Sequence, residues 1–411
     1  MEQPKPLVDA LTGYQKFIVV VLALLQFTVV LDFMILAPLG DILIKALQMT
    51  PANFGWVVSA YAFSAGLSGI LAAGFADKYD RKKILLFFYT GFVLGTLFCG
   101  LANTYWQLLT ARIVTGVFGG VISAVGMAII TDLFTINQRG RVMGFVQMAF
   151  AASQVLGIPI GLYLAAKWDW HATFFMIVIL ATVIGIVVAI KVKPINEHLK
   201  LQSTKSPFLH LWHTVSNSSY QVGFLATAML SIGGFMLMPF SSAFLVNNIG
   251  ITHHDLPLVF MFTGISSIII MPIIGRISDK IDKFKLFAIG SVWATIMVVV
   301  YTNISVMPLW QVVVVNMLLF MGIMSRMIPA TALATQIPEM KDRGAFMSIN
   351  SSLQQMAGGI AAIFAGLIVK QETETAPLQH YDTLGYIVAA VILICIYFVY
   401  RVSVLVKSKN N

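Results

Sequence analysis

Charged residues are scarce in this chain. Only 10% of its 411 residues are charged and 58% are hydrophobic, whereas soluble domains carry about 25% charged residues. A water-soluble fold could not bury that much apolar surface. The apolar residues fall in stretches of about twenty, the length at which a helix rising 1.5 Å per residue crosses roughly 30 Å of hydrocarbon. The scarcity of charge therefore excludes a soluble globular protein and predicts a chain that folds in a lipid bilayer.

Cysteine is also rare, and recognisable catalytic motifs are missing. The two cysteines, Cys99 and Cys395, both lie inside apolar stretches, which excludes a disulfide framework and a zinc-binding spacing. The sequence has no nucleotide-binding P-loop, no Ser-His-Asp arrangement and no pair of intramembrane carboxylates. We therefore expect a protein that is not an enzyme and that needs no metal or cofactor.

Twelve apolar stretches are long enough to span a membrane. The first, from Phe17 to Pro38, has no small-residue cleavage site after a short apolar core, so we expect a retained span rather than a signal peptide. The predicted fold class is an all-α membrane protein. Its predicted spans are 16–40, 53–76, 84–103, 106–130, 142–166, 171–192, 220–247, 257–278, 285–303, 308–336, 344–369 and 384–406.

The basic residues are distributed unevenly between the connecting segments. With the N-terminus inside, the outer loops contain only Lys45, Lys167 and Lys370, and two arginines lie within spans, so 21 of the 26 Lys and Arg residues are cytoplasmic. Because Lys and Arg resist translocation, this asymmetry places both chain ends in the cytoplasm. It also accounts for the net charge of +9 without nucleic acid as a partner, since nucleic acid requires a basic cluster on one folded face.

The two halves of the chain repeat one another. Trp106-Gln107 and Trp310-Gln311 are 204 residues apart, as are Arg139-Gly140 and Arg343-Gly344. Six-helix halves related by an axis along the membrane normal, with a site between them near mid-membrane, are a transporter architecture. The polar segment between the halves sets the expected boundaries, which are an N-terminal bundle at 1–192, a cytoplasmic linker with a short amphipathic segment at 193–219 and a C-terminal bundle at 220–411.

A charged tight loop joins the second and third spans of each half. The loops read Ala73-Gly-Phe-Ala-Asp77-Lys-Tyr-Asp-Arg81-Lys-Lys83 and Gly275-Arg-Ile-Ser-Asp279-Lys-Ile-Asp-Lys283. They resemble the G-x-L-a-D-R-x-G-R-K motif of the major facilitator superfamily, with Asp80 and Asp282 where the second glycine is usual. The resemblance covers essentially the whole chain. It implies two pseudo-symmetric six-helix bundles and a monomer.

Two further segments resemble the drug and sugar efflux branch of that superfamily. Arg112-Ile-Val-Thr-Gly116 is similar to its R-x-x-x-G motif, whose arginine is associated with proton coupling. Gly157-Ile-Pro159-Ile-Gly161 looks like the antiporter motif of the fifth span, with His171 where an arginine is usual farther on. Glycine and proline permit close approach and a bend, which suits a hinge. The alternative is small-residue helix packing, which would be the better explanation without the flanking match to the family motif. In the family, the Asp and Arg of the first charged loop form a cytoplasmic charge network with an acidic residue that ends the fourth span, which implies Asp77, Arg81 and Asp132 here. The other expected gating residues are Gly157, Pro159, Gly161, Gly275 and Asp279.

Asp32 is the one acidic residue deep inside a predicted span. It lies about 22 Å from the cytoplasmic edge of a core roughly 30 Å thick, and Arg112 enters from the other side to roughly 9 Å from the outer edge. The two depths nearly coincide, and a charge in lipid must face the protein interior and find a partner. We therefore predict that Asp32 takes up and releases a proton while Arg112 adjusts its proton affinity. The alternative is a permanent ion pair that only locks two helices.

Other residues within spans are candidates for a substrate cavity. Arg326 either attracts an anionic group of the substrate or bonds to freed backbone near Pro329. Aromatic and amide side chains could bind ligand, although packing and interhelical hydrogen bonds are the alternatives, because a helix that is apolar all round gives no direction. These candidates are Gln26, Phe33, Tyr61, Gln147, Phe235, Met236, Phe240, Asn316 and Phe320.

Together these features predict a proton-coupled antiporter in the bacterial inner membrane. It would export a small amphiphilic or sugar-like compound by alternating access, with the substrate, protons and the lipid bilayer as its partners. Two alternatives remain, a proton symporter that imports a nutrient and a receptor or lipid-handling protein without ion coupling. The glycine-proline pattern of the fifth span favours export over import, and Asp32 with Arg112 favours proton coupling.

Overall fold

The structure is a computed structural model that describes residues 11–197, 199, 207–339, 342–373 and 375–410. Within these ranges the chain is almost entirely helical, with one isolated β-bridge between Lys370 and Gln379. Its α-helices, in chain order, are α1 (Gly13–Ile35), α2 (Gly40–Ala46), α3 (Pro51–Phe75), α4 (Arg81–Gly100), α5 (Tyr105–Leu133), α6 (Ile136–Ala152), α7 (Ile158–Lys167), α8 (Trp170–Lys191), α9 (Pro207–Ser216), α10 (Ser218–Phe235), α11 (Ser241–Asn247), α12 (Leu256–Lys280), α13 (Lys283–Thr302), α14 (Leu309–Ala334), α15 (Arg343–Ile368) and α16 (Tyr381–Asn410).

Twelve helical segments in the described ranges are long and apolar enough to cross a membrane. The fifth combines α6 and α7 and the seventh combines α10 and α11, while α2 and α9 are short extra helices. The twelve predicted spans correspond to these segments one for one. At the first span the end differs, because α1 ends at Ile35 rather than 40. The chain turns there before Pro38, whose nitrogen cannot donate a helical hydrogen bond.

Two aspartates start the helices that follow the charged loops. Asp80 Oδ1 accepts hydrogen bonds from the backbone N–H groups of Lys82 and Lys83, at 2.8 and 3.2 Å. Asp282 accepts one from the backbone N–H of Lys285 at 3.0 Å. These aspartates stand where the resembled motif has glycine. Each is the N-cap of its helix, a position at which aspartate is strongly preferred.

The helices form two six-helix bundles. In the first, α1 packs on α6 and α8, α3 packs on α5, and α4 packs on α5 and α8. In the second, α10 packs on α15 and α16, and α14 packs on α12 and α13. Buried apolar side chains fill the interior of each bundle. The predicted fold class, twelve membrane helices in two pseudo-symmetric bundles, is confirmed.

The bundles meet along two pairs of helices. The first pair is α3 with α15, and the second is α12 with α7 and the turn that precedes α7. A Cβ atom on Gly55 would lie 2.6 Å from the Ala362 carbonyl oxygen, and one on Gly366 would lie 2.7 Å from the Pro51 carbonyl oxygen. Glycine is required at both positions because a side chain would push α3 and α15 apart.

The fifth and seventh spans are irregular near their middle. A π turn at Ser153–Gly157 separates α6 from α7, two residues before Pro159. A 3₁₀ turn at Met238–Phe240 contains Pro239 and separates α10 from α11. Proline and π turns are the usual causes of sharp bends in helices. Both breaks lie in spans that contact the opposite bundle.

We call the end of the molecule that carries α2 and α11 the outer face, because the distribution of Lys and Arg predicts that it is external. Here α2 packs on α11, and the rings of Phe54 and Phe240 meet edge to face with centroids 5.9 Å apart. At the other end of the molecule, α12 packs only marginally on α6. The bundles are therefore closed on each other at the outer face.

Replacing Gly120 with alanine is expected to destabilise the first bundle. A Cβ atom there would collide with the Ala65 carbonyl oxygen of α3 and lie 2.5 Å from Ser68 Oγ. Such overpacking costs about 1–3 kcal/mol. Gly126 is the matched control, since it lies on the same helix with no atom within 4 Å of its added Cβ. Thermal unfolding in detergent should show a lower Tm for Gly120→Ala and no loss for Gly126→Ala, and equal Tm values would contradict the packing argument.

Candidate functional site

The deepest charged pair joins α1 to α5. Arg112 Nη1 donates to Asp32 Oδ2 at 2.7 Å and also reaches the Asp32 carbonyl oxygen at 3.3 Å. Both side chains are 0% exposed. The structure thus brings together the two residues whose depths coincide in the sequence. Asp32 points into the first bundle, where its carboxylate is shielded from both lipid and water.

Two neighbouring side chains contact this pair. Thr96 Oγ1, on α4, donates to Asp32 Oδ1 at 3.1 Å, so both carboxylate oxygens accept hydrogen bonds. The Tyr61 ring, on α3, lies 4.5 Å from the Arg112 guanidinium carbon and offers its π face to the cation. Arg112 Nε and Nη2 are buried and have no hydrogen-bond partner. The carboxylate is therefore fully satisfied and the guanidinium only in part, so a change at Asp32 would leave Arg112 free to reorient.

An aromatic series leads from this pair to the second bundle. Phe33 follows Asp32 on α1, and its ring lies 5.4 Å from that of Tyr61 and 6.1 Å from that of Phe235 on α10. Phe33 and Phe235 also line a small cavity between the bundles, together with Ala37, Val58, Ala62, Met238, Pro239, Gly358 and Ala362. The cavity walls are apolar. The charged pair is thus separated from the space between the bundles by only two aromatic side chains.

Two of the predicted cavity residues form hydrogen bonds between helices of the same bundle. Gln26 Oε1 accepts a hydrogen bond from Ser123 Oγ at 3.3 Å. Asn316 Nδ2 donates to Thr263 Oγ1 at 2.9 Å, and Asn316 is buried. Both contacts are the interhelical hydrogen bonds that the sequence left as the alternative.

The remaining candidates have varied surroundings. Met236 and Phe240 are buried in the apolar core that closes the outer face. Gln147 is exposed on α6, and Phe320 is half-buried on α14. Arg326 is 1% exposed inside the second bundle. In this closed arrangement Phe33 and Phe235 line the space between the bundles.

The charged loop of the first half makes an ion pair in which only the arginine is buried. Arg81 Nε lies 2.9 Å from Asp132 Oδ2 at the end of α5, and Arg81 Nη1 donates to the Ala76 carbonyl oxygen at 2.8 Å. Arg81 is only 4% exposed. This pairing agrees with the charge network that the family resemblance implies for these two residues.

The other predicted gating residues are less fully described. The side chains of Asp77 and Asp279 lie outside the described part of the chain. Gly275 is half-buried on α12, and a Cβ there would meet nothing within 4 Å. That position is free of close packing.

The glycines of the predicted hinge contact the helix that carries Asp32. A Cβ on Gly157 would lie 2.5 Å from Leu31 Cδ1, and one on Gly161 would lie 2.9 Å from Ile35 Cδ1. Pro159 lies between them. The break in the fifth span therefore packs against Leu31, directly before Asp32 on α1, and α7 packs against Ile35, three residues after it. Movement at this break would displace α1, the helix that carries Asp32.

A polar cluster at the outer face was not predicted from the sequence. Asp41 on α2 is 1% exposed, and its Oδ2 lies 2.8 Å from Lys45 Nζ and 3.2 Å from His253 Nε2. Asn247 Nδ2 donates to Asp41 Oδ1 at 2.5 Å, and Lys45 Nζ donates to Asn247 Oδ1 at 3.1 Å. We call Asp41, Lys45, Ser242, Asn247 and His253 the outer latch, because it joins residues of the two bundles.

Backbone contacts extend the outer latch. Ser242 Oγ donates to the Ala37 carbonyl oxygen at 2.9 Å and lies 3.3 Å from the Asp41 backbone nitrogen. Burial alone raises the pKa of Asp41, but hydrogen bonds from His253, Lys45 and Asn247 and the Lys45 charge outweigh it and hold that pKa below its ordinary value. Asp41 therefore stays ionised above about pH 4. A sequence signal did exist, because Ser242 follows Asp41 by 201 residues, close to the repeat of the halves.

These features together define a class of protein. Two six-helix bundles close over a central cavity, with a charged pair buried beside that cavity, which is the arrangement of a multi-pass membrane transporter. Comparison with known proteins narrows the class. The family model of the major facilitator superfamily matches residues 22–337 and 223–411. The chain belongs to the major facilitator superfamily.

Individual relatives are distant. Multidrug resistance protein 2 of Bacillus subtilis is 23% identical over 71% of this chain and 74% of its own length. A probable sugar efflux transporter of Helicobacter pylori is 26% identical over 38% of this chain and 39% of its own length. The chain matches as little as 22% and as much as 95% of the length of single relatives.

The fold is shared with solved transporters. A bacterial homolog to the human lysosomal transporter Spinster, in its inward-facing and unoccupied conformation, superposes with a TM-score of 0.78. It is 14% identical, and the match covers 97% of this chain and 99% of that chain. At this identity the likeness establishes the fold alone.

Proposed function

We propose that the protein is a proton-coupled antiporter of the bacterial inner membrane that exports small amphiphilic or sugar-like compounds. The observation that carries this proposal is the fully buried Asp32–Arg112 pair beside the space between the bundles. Relatives named for multidrug resistance and sugar efflux support the direction of transport. The moving units would be the bundles at 1–192 and 220–411, joined by a linker at 193–219.

The coupling step follows from the balance of forces on Asp32. Its burial favours the neutral acid, and the Arg112 cation favours the carboxylate. When the outer face opens, water reaches Asp32 and a proton neutralises it, which ends the attraction between its Oδ2 and Arg112 Nη1. When the opposite end opens, Arg112 favours ionisation, and the proton leaves on the cytoplasmic side.

Substrate release would be linked to this step through the aromatic series. Tyr61 lies against Arg112, and Phe33 lies between Tyr61 and Phe235. A guanidinium freed from Asp32 would shift the Tyr61 ring, and a shifted Tyr61 would change the wall of the cavity at Phe33. Proton uptake would then weaken substrate binding while the site faces outward.

A proton-flux assay in proteoliposomes tests the proposal. Purified protein, oriented vesicles and an internal pH-sensitive dye would be screened against antibiotics, sugars and lipids, with protein-free vesicles as the control. We expect at least one compound to drive protons in the direction opposite to its own movement. Movement of both in one direction would establish a symporter instead. Transport or binding without proton movement would establish the uncoupled alternative.

A further inference from the structure

A second buried arginine lies in the C-terminal bundle, and the described residues include no acidic partner for it. Arg326, on α14, is 1% exposed, and its Nε donates to Ser291 Oγ at 3.1 Å. The ring of Phe287 lies 5.7 Å from its guanidinium carbon, and the Cys395 thiol lies beside it. Arg326 Nη2 is buried and has no hydrogen-bond partner. Among the described residues, no Asp or Glu acts on this guanidinium.

The contrast with the first bundle is direct. Arg112 is also fully buried, but it has the Asp32 carboxylate at 2.7 Å. An arginine does not deprotonate inside proteins, so the charge of Arg326 persists. Charged residues within membrane spans normally pair with a counter-charge or serve a pathway. The neutral Ser291 hydroxyl and the Phe287 ring leave the charge of Arg326 uncompensated.

The position that would supply a carboxylate by symmetry is a glycine. Gly233 follows Asp32 by 201 residues, the offset that also relates α2 at Gly40–Ala46 to α11 at Ser241–Asn247. A Cβ atom on Gly233 would lie 3.8 Å from Arg326 Nη1. On the adjacent Gly234 a Cβ would meet nothing within 4 Å. The guanidinium thus faces glycine backbone where the first bundle has its aspartate.

The same stretch of α10 leads to the cavity between the bundles. Phe235 follows Gly234 and lines that cavity with Phe33 and Gly358. A ligand with one end at Arg326 and the other against Phe235 would therefore make an ionic contact at one end and an apolar contact at the other. Ligand sites of this kind combine an apolar lining with a few well-placed polar groups.

We propose that Arg326 binds the anionic group of the transported compound. That compound carries one acidic group, such as a carboxylate, sulfonate or phosphate, on an apolar body. The transport role rests on the function proposed above, whereas the binding does not. Export of one monovalent anion in exchange for one imported proton moves two positive charges inward. An inside-negative membrane potential would therefore assist the exchange.

Equilibrium binding of matched aromatic probes tests this inference. Naphthoate and naphthamide share one ring system and differ in charge, and their affinities for purified full-length protein can be measured in chloride-free buffer. We expect wild type to bind naphthoate at least tenfold more tightly than naphthamide. Arg326→Gln should remove that preference, and Arg326→Lys should keep part of it. Arg276→Gln, at an exposed arginine of the same bundle, is the matched control and should change nothing.

A second variant provides an independent test of the anion site if Arg326→Gln folds poorly. Gly233→Asp would place a carboxylate of the chain itself beside Arg326, and its Cβ would lie 3.3 Å from Ile392 Cγ1, a tight but adjustable contact. We expect it to raise the Tm and to lose the naphthoate preference. A naphthoate preference retained in both variants would overturn the inference. Binding of chloride alone at Arg326 would also overturn the inference, because Arg326 would then be a structural ion site.

The two proposals fail separately. Naphthoate preference that depends on Arg326, in a protein that moves no protons, would leave the anion site standing and refute antiport. Proton movement driven only by neutral or cationic compounds would support antiport and refute the anion site.

Discussion

Asp32→Asn will leave the protein folded and will abolish substrate-driven proton movement. Asparagine matches the size of aspartate. Its Oδ1 can accept from Arg112 Nη1 and its Nδ2 can donate to Thr96 Oγ1, which lie at 2.7 and 3.1 Å from the two carboxylate oxygens of Asp32. It cannot take up a proton. Proteoliposomes should therefore show no proton movement for any compound that moves protons in wild type. Asp169→Asn, at an outer aspartate that is 55% exposed, should keep full activity.

Arg112→Gln separates the coupling role from a locking role. It leaves Asp32 buried without its cation, and removal of one partner from a buried pair costs about 3–5 kcal/mol. Combining it with Asp32→Asn removes the orphaned charge, so the double variant should be more stable than Arg112→Gln alone. Thermal unfolding of the wild type, both single variants and the double variant measures this coupling.

A permanent lock gives a different pattern. If the pair only fastened α1 to α5, the folded Asp32→Asn protein would still move protons with substrate. That result would exclude Asp32 as the proton carrier and leave the aromatic series without a trigger.

The sequence predicted the elements that depend on composition. Spans follow from the length of apolar runs, and rare charges inside them identify Asp32 and Arg112 without any knowledge of packing. The Arg81–Asp132 pair followed from the family resemblance, which transfers positions rather than geometry. In each case the informative residue differs chemically from its surroundings, so its position alone carries the signal.

The sequence could not direct side chains on helices that are apolar all round. Phe33 and Phe240 are both phenylalanines in apolar stretches, yet Phe33 lines the cavity and Phe240 is buried against Phe54. A uniform apolar helix has no periodicity from which to read a face. The outer latch was not predicted from the sequence for a different reason. Asp41 and His253 belong to short segments beside different spans, and only the folded contact between α2 and α11 brings them together.

Asp41→Asn will shift the protein toward states that are open at the outer face. The carboxylate accepts from Lys45, Asn247 and His253, and its charge strengthens each of those contacts. Hydrogen bonds to a charged group contribute about 1.5–3 kcal/mol, so loss of the charge should raise the ratio of open to closed molecules by about 10- to 150-fold. Asp255→Asn is the matched control, because the described side-chain contacts of Asp255 are with Thr252 and His254 of its own loop.

Spin labels at Ala46→Cys and His254→Cys would measure this shift. Both positions are exposed at the outer face, and the native cysteines are buried. Wild type and Asp255→Asn should give one short distance, and Asp41→Asn should add a longer one. Because the pKa of Asp41 lies below its ordinary value, its contribution is present above about pH 4 and is lost only below that. Unchanged distances in Asp41→Asn would show that the apolar contact of Phe54 with Phe240 closes the outer face by itself. A second distance would mean that one carboxylate, nine residues beyond Asp32 on the same stretch of chain, controls when water reaches the buried pair.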